Sequence, residues 1–436
     1  MRMLHSKQLP WLTALWCCLY LSAVTDAQTT YLHCGQMIEV KTGAARGPVT
    51  LVVEGDKIAR IENGYTTAPT GVTVVDLKNK TVLPGLIDCH VHLEWEQSRK
   101  TYTEKYTLGE ADIAFRAGVY AERTLRAGFT TVRDLGGQGA NLALRNAINT
   151  GWATGPRILC AGRVLSITGG HGDSSTGAKE DLFDPPTPEE GIADGPDECR
   201  KAVRNQVKRG ADCIKVAATG GVLSLARDGR LPHYAEDELT VLVQTARDLG
   251  VDVAAHAHGD DGIRRAVMAG VVSIEHGTFM SDSTIELMKQ HGTWYVPTLT
   301  AAWAVSDSAA QSPGFFPEVV RKKALGIGPT ISATLGRAYK KGVKIAFGTD
   351  AGVCPHGKNN LEFGYMADAG MAPADILRAA TFDAATLLHL ADRLGSLESG
   401  KLADIVAVDG NPLVNVRAME RVVFVMKAGS IVKGGI

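Results

Sequence analysis

Across residues 31–82, apolar and polar positions alternate in short runs broken by turn residues. The run 49–53 enters the turn Glu54-Gly55-Asp56-Lys57, and further runs follow at 58–61 and 72–77. Period-two alternation between turns predicts strands, and no helical period is present. From Leu83 onward the pattern changes. Apolar runs lie at 83–91, 130–133, 157–161, 213–217, 251–257, 272–275, 294–298 and 344–348. Amphipathic stretches such as 237–249, 262–269 and 282–291 separate them, each ending at or near a glycine, as helices commonly do. Eight strands alternating with helices predict an α/β fold, a (β/α)8 TIM barrel. After a helical stretch at 373–390, strand-like runs return at 405–408, 422–427 and 430–432. They share the character of the first strands, so the two chain ends are expected to pair. The expected division is a barrel over 83–395 and a small composite β-sandwich domain over 28–82 plus 396–436.

Composition narrows the class. A chain of 436 residues that is 45% hydrophobic can bury a large core. A net charge of −1 leaves no electrostatic case for nucleic acid. At the start, Arg2 and Lys7 precede an apolar run at 11–24, which is followed by Thr25-Asp26-Ala27. This reads as a signal peptide over 1–27, too short for the roughly 20 residues of a membrane span. The expectation is therefore an exported protein, periplasmic or secreted, with no stable membrane anchor after cleavage. Cys34, Cys89, Cys160, Cys199, Cys213 and Cys354 lie beyond that segment, without the spacing of a disulfide-stapled scaffold. Cys89 and Cys213 sit inside apolar runs and read as core residues.

Candidate chemistry lies at the ends of the predicted barrel strands, where such barrels carry their catalytic groups. Thr81-Val82-Leu83-Pro84-Gly85-Leu86-Ile87-Asp88-Cys89-His90-Val91-His92 closes on a His-x-His pair. Residues i and i+2 of a strand share a face, so His90 and His92 can chelate one metal ion. Lys215 lies in the fourth strand, His256 closes the fifth, His276 the sixth and Asp350 the eighth. Taken singly, each could be a core or surface residue. Six such residues in strand order point to a metal centre at the barrel mouth. His258 shares the face of His256 and competes with it as a ligand, or faces the substrate. His171 in a glycine-rich loop, His233 and Arg163 are substrate-contact candidates. The Arg163 guanidinium could pair with a substrate carboxylate or form a surface ion pair. Tyr234 could donate to a developing oxyanion or pack in its loop.

This set resembles the binuclear branch of the amidohydrolase superfamily. The segment Pro-Gly-Leu-Ile-Asp-Cys-His-Val-His and the tail Gly400-Lys401-Leu402-Ala403-Asp404-Ile405-Val406 are similar as well. Within it, His256-Ala257-His258-Gly259, Thr168-Gly169-Gly170-His171-Gly172 and Ile274-Glu275-His276-Gly277-Thr278 resemble the imidazolonepropionase-like group. That group includes dipeptidases cleaving Xaa-Pro or Xaa-Arg/Lys and amidohydrolases that hydrolyse ochratoxin A.

The resemblance implies two divalent metal ions. His90 and His92 would bind one, and His256 and His276 the other. Lys215, N-carboxylated by CO2, would bridge them, since a bare ammonium repels cations and is costly to bury. Asp350 would bind the first metal and act as general base for attack by a bridging hydroxide. Imidazole and carboxylate ligands favour zinc. The implied activity is hydrolysis of an amide bond to a C-terminal amino acid, on a small-molecule substrate, by a homo-oligomer. Two rival readings are a cyclic-amide hydrolase of the imidazolonepropionase type and a non-catalytic exported binding protein that keeps the barrel.

Overall fold

The computed structural model describes residues 28–225 and 228–434. The signal-peptide segment expected at 1–27 lies outside the described residues. Strands β1 (Thr29–Glu39), β2 (Ala44–Arg46), β3 (Val49–Glu54), β4 (Lys57–Asn63) and β5 (Thr73–Pro84) come first. Then β6 (Leu86–Val91), β7 (Phe129–Asp134), β8 (Arg157–Cys160), β9 (Cys213–Ala217), β10 (Asp252–Ala257), β11 (Ser273–His276) and β12 (Trp294–Val296) alternate with helices. Last come β13 (Ile405–Val408), β14 (Val422–Lys427) and β15 (Ser430–Lys433).

The parallel part forms two arcs, β6-β7-β8 and β9-β10-β11-β12. Near-continuous burial along β6, β7, β9 and β11 reflects helices on one side and the packed interior on the other. A continuous eight-stranded ladder is not formed. The run expected as the eighth strand at 344–348 divides its hydrogen bonds among three neighbours, with Phe347 N–H bonding the Ala379 carbonyl. Tyr295 N–H bonds the Lys344 carbonyl, while Cys89 N–H bonds the Phe347 carbonyl. Single bridges, Tyr295 to Ile345 and Val91 to Ala351, take the place of a ladder there. Similarly, Leu165 bridges to Val216 where the two arcs meet.

The remaining strands form one sheet in the order β15-β14-β13-β5-β1-β3-β4, with β2 on β1. The sequence reading expected a sandwich; the far ends of this sheet come together where Lys57 bridges Leu402, and its ladders are continuous. The cause is the length of β5. Its earlier residues, Thr73 to Leu77, pair in parallel with β1, and Thr81 to Pro84 pair antiparallel with β13. Leu32, Leu51, Ile58, Val75, Ile405 and Phe424 join in one apolar cluster on this sheet.

Between β5 and β6 stands Gly85. A Cβ there would lie 2.2 Å from Thr130 Oγ1 and 2.9 Å from Asp404 Cβ, so only glycine lets the chain pass from sheet to barrel strand. All six described cysteines are buried and free.

Candidate active site

The strands deliver the predicted side chains to one place. Opposite register partners Ala254 and Lys215, and Ala257 and His276, align β9, β10 and β11 so that their ends meet. The Nζ of Lys215 lies 3.3 Å from His90 Nε2. Asp350 Oδ1 lies 3.5 Å from His90 Nε2 and 3.3 Å from His92 Nε2. The rings of His256 and His276 are 4.6 Å apart between centroids, those of His258 and His276 5.0 Å, and those of His90 and His276 5.0 Å. Two trios have ligand-capable atoms all within 4.8 Å of one another: His90, His92 and Asp350, and His256, His258 and His276. His258 therefore stands among potential ligands rather than apart from them.

The outer nitrogens of these imidazoles are already committed. His90 Nδ1 is 2.9 Å from Glu275 Oε2, and His92 Nδ1 is 2.6 Å from the Gly136 carbonyl. Both partners are acceptors, so each Nδ1 carries the proton and each Nε2 presents a lone pair. His256 is reversed: its Nε2 lies 3.1 Å from the Gly220 carbonyl, which leaves Nδ1 as the free nitrogen. His276 Nδ1 lies 2.7 Å from Thr298 Oγ1, and His258 Nδ1 lies 2.8 Å from Thr278 Oγ1.

Electrostatics follow from burial. Desolvation and the neighbouring Lys215 hold His90 well below the usual imidazole range. His256 and His276 are lowered by burial and by the surrounding imidazoles. Burial brings Lys215 down to about 8. Burial works to raise the Asp350 carboxyl, but His90, His92 and Lys215 outweigh it and hold it below its ordinary value. His92 is raised, because the Asp350 carboxylate outweighs desolvation. Asp350 Oδ1 is nonetheless buried without a hydrogen-bond partner. It faces two nitrogens preset as acceptors, and such a meeting of lone pairs requires a proton or a cation between them. The donor set of imidazoles and a carboxylate suits divalent metal ions.

Backbone strain gathers at the same strand ends. His276, Thr298 and Asp350 have φ of 69°, 56° and 56°. Each costs on the order of 1–3 kcal/mol and persists only where its surroundings enforce it. Around Asp350 the enforcing group is buried Asp88. It accepts from Thr349 N and Oγ1 at 3.1 and 2.6 Å, and from Asn359 Nδ2 at 2.8 Å.

The cluster opens into a cavity of about 780 Å³. Arg163 and His171 line it. The His171 ring stacks on His256 with 4.3 Å between centroids. Gly221 makes room for it, since a Cβ at that position would lie 2.2 Å from the imidazole. His233 does not line the cavity; its Nδ1 accepts from the His171 backbone N–H at 3.4 Å, so it braces the loop that carries His171.

Tyr234 corrects the sequence expectation. It is buried in the core, outside the cavity lining, with its hydroxyl unpartnered. Burial pushes this hydroxyl well above the usual tyrosine range, and Cys199, Glu238 and Asp194 lie near it. An oxyanion donor must reach the reacting carbonyl, and this hydroxyl does not.

Sequence reasoning passed over the groups behind the cluster. Glu275, fully buried, binds His90 and also accepts from Arg133 Nη2 at 2.9 Å and from Ser273 Oγ at 2.5 Å. Arg133 in turn donates from Nε to the Cys89 carbonyl at 2.7 Å. The available signal was a charged residue within each of two predicted barrel strands, which demands a buried partner.

Over residues 81–434 the sequence matches the Amidohydrolase family. Ochratoxinase from Aspergillus niger is 32% identical over 439 aligned residues, covering 95% of this chain and 89% of that protein. The crystal structure of a Xaa-Pro dipeptidase with bound methionine in the active site is 44% identical. It superposes with a TM-score of 0.90, covering 93% of this chain and 100% of that one. Imidazolonepropionase from Micrococcus luteus is 25% identical over 82% of this chain and 87% of its own length.

Proposed function

The chain belongs to the amidohydrolase family and is a hydrolase acting on amide bonds, and on that premise we propose that it releases a C-terminal amino acid from dipeptides or N-acyl amino acids. Amides of the ochratoxin A type are included. The observation that carries this is the cavity of about 780 Å³, which joins the His, Lys and Asp cluster to the Arg163 guanidinium. That volume suits a small molecule. Arg163 offers charge-assisted donors to the free carboxylate of the amino-acid half. Apolar walls from Tyr102, Leu182 and Phe183 on the short segments 101–104 and 180–183, and from Val305 and Ile331 on longer helices, accommodate the acyl group and side chain.

His90, His92 and Asp350 would hold one divalent ion, His256 and His276 the second, and a carboxylated Lys215 would lie between them. Zinc is the favoured metal. Such ions supply Lewis acidity and lower the pKa of water when bound. Lys215 suits carboxylation because burial brings its pKa down to about 8, which makes the CO2-reactive free amine accessible near neutral pH. Asp350 is held ionised by His90, His92 and Lys215, so it can take a proton from the attacking water at Oδ1 and pass it to the leaving amine. His258 and His171 contact the substrate on the cavity side. The barrel residues 83–395 carry this chemistry, and 28–82 with 396–436 form the accompanying β unit. We also place the mature protein outside the cytoplasm, as a homo-oligomer, on the strength of the segment 1–27 and the family resemblance.

The test is amino-acid release from purified protein supplied with zinc. The panel holds Xaa-Pro, Xaa-Arg/Lys and Xaa-Phe dipeptides, N-acyl amino acids, ochratoxin A and imidazolonepropionate. Chelator-sensitive release of the C-terminal amino acid is expected. Turnover of the cyclic substrate alone would replace this reading with ring opening, which the imidazolonepropionase likeness favours.

A further inference from the structure

Thr298 does not do what a threonine at the start of a helix ordinarily does. It precedes the helix Leu299–Gln311, where a threonine hydroxyl normally accepts from the helix's own first N–H groups. No such bond is made. Instead Thr298 Oγ1 lies 2.7 Å from the Pro297 carbonyl and 2.7 Å from His276 Nδ1. A hydroxyl has one proton. Given to the Pro297 carbonyl, it leaves Oγ1 as an acceptor, so His276 Nδ1 must be the donor.

The capping is done from elsewhere. Glu362, on the helix Leu361–Asp368, is fully buried. Its Oε1 accepts from Leu299 N at 2.8 Å, and its Oε2 accepts from Thr300 N at 2.6 Å and meets Thr300 Oγ1 at 2.6 Å. These bonds satisfy the helix start and pin the backbone on the far side of Thr298. Thr298 itself is held at φ 56°, a left-handed conformation that a β-branched residue avoids. With Glu362 capping the helix, the Thr298 hydroxyl is free to turn toward His276.

We propose that Glu362 and Thr298 are positioning residues that fix His276 as its Nδ1–H tautomer and so present the Nε2 lone pair to the cavity. The relay runs from the Glu362 carboxyl through the first N–H groups of the helix to the strained Thr298 backbone. It continues through Oγ1 to the imidazole. Its value to a metal site rests on the binuclear reading above, whereas the tautomer itself does not. Glu362 is remote in sequence from the helix start that it caps, Thr298 lies 22 residues from His276, and neither Glu362 nor Thr300 reaches the cavity lining.

Replacing Thr298 separates this role from a structural one. Glycine adopts the left-handed backbone freely, so Thr298→Gly relieves strain while removing the hydroxyl. Thr298→Ser keeps the hydroxyl. Nitrogen-15 spectra of histidine-labelled, metal-free protein report the His276 tautomer directly. The wild type and Thr298→Ser should show Nδ1–H, while Thr298→Gly and Glu362→Ala should show a mixture. Zinc titration of Thr298→Gly should then show one of the two ions bound about 10–100-fold more weakly, with an unchanged or higher melting temperature. An unaltered tautomer and zinc affinity within twofold of wild type in Thr298→Gly would overturn the proposal, even if Glu362→Ala is poorly folded. Should the wild type bind no zinc, the binuclear reading fails, and the metal-free spectra still decide the relay.

Discussion

The sheet built from both chain ends has a buried apolar core and the strand ends around His90 are buried throughout, yet they are held together by different means. In the sheet, Leu32, Leu51, Ile405 and Phe424 pack apolar surface, and long ladders satisfy the backbone. Around the cavity, Asp88, His90, Lys215, Glu275 and Asp350 are buried in its place, and three non-glycine residues stand at positive φ. Burying such groups costs free energy that hydrophobic packing elsewhere must offset. The difference shows which region is built for stability and which for chemistry, without reference to any relative.

Substitutions can break that contrast if it is false. The largest expected effect is at Asp350. Asp350→Asn should lower kcat/KM by about 10²- to 10⁴-fold while the melting temperature stays near that of the wild type; retained turnover would remove Asp350 from the chemistry. In the sheet, Phe424→Ala should do the reverse. Truncating a buried aromatic typically costs about 3–5 kcal/mol in denaturant unfolding, and kcat of the folded fraction should not move. A parallel fall in kcat would mean that the two regions are coupled.

A pH series sharpens the comparison. Burial lowers Lys215 in the folded state from 10.5 to about 8, so between those values the unfolded chain binds more protons. Stability of the metal-free protein should therefore rise with pH from about 8 to 10.5, by at most about 1.4 kcal/mol per pH unit. The penalty is fully present below pH 8. Lys215→Met should flatten this slope, and Phe424→Ala should leave it unchanged; equal slopes in wild type and Lys215→Met would deny the buried amine its cost. The smallest effect is expected at Tyr234. Its hydroxyl is buried and unpartnered, so Tyr234→Phe should leave kcat unaltered and stability equal or slightly higher. A tenfold loss of kcat would restore it to the reaction.

Much of the candidate site was legible because its signals are local. His90 and His92 share a face by strand period alone, Lys215 lies inside an apolar run, and His256 and His276 each close one. Errors arose where a local pattern admits two surroundings. Tyr234 follows His233 in the same loop, yet one braces His171 and the other turns into the helical core. The run at 344–348 is apolar enough for a strand, but its carbonyl and N–H groups are divided among β12, β6 and the Ala379 carbonyl. A single long β5 carries the ladders to both the early and the late strands, which the separate apolar runs do not reveal.

The sequence by itself determined the order of strands and helices and the candidate ligands at strand ends, since both follow from periodicity and from the few residue types that bind metals. Only the tertiary structure decided which nitrogen of each imidazole faces the cavity. The partners that settle it, Glu275 for His90, the Gly136 carbonyl for His92 and Thr298 for His276, lie 185, 44 and 22 residues away along the chain. A tautomer is set by whichever acceptor packing brings to Nδ1, and no local pattern of side chains encodes that meeting.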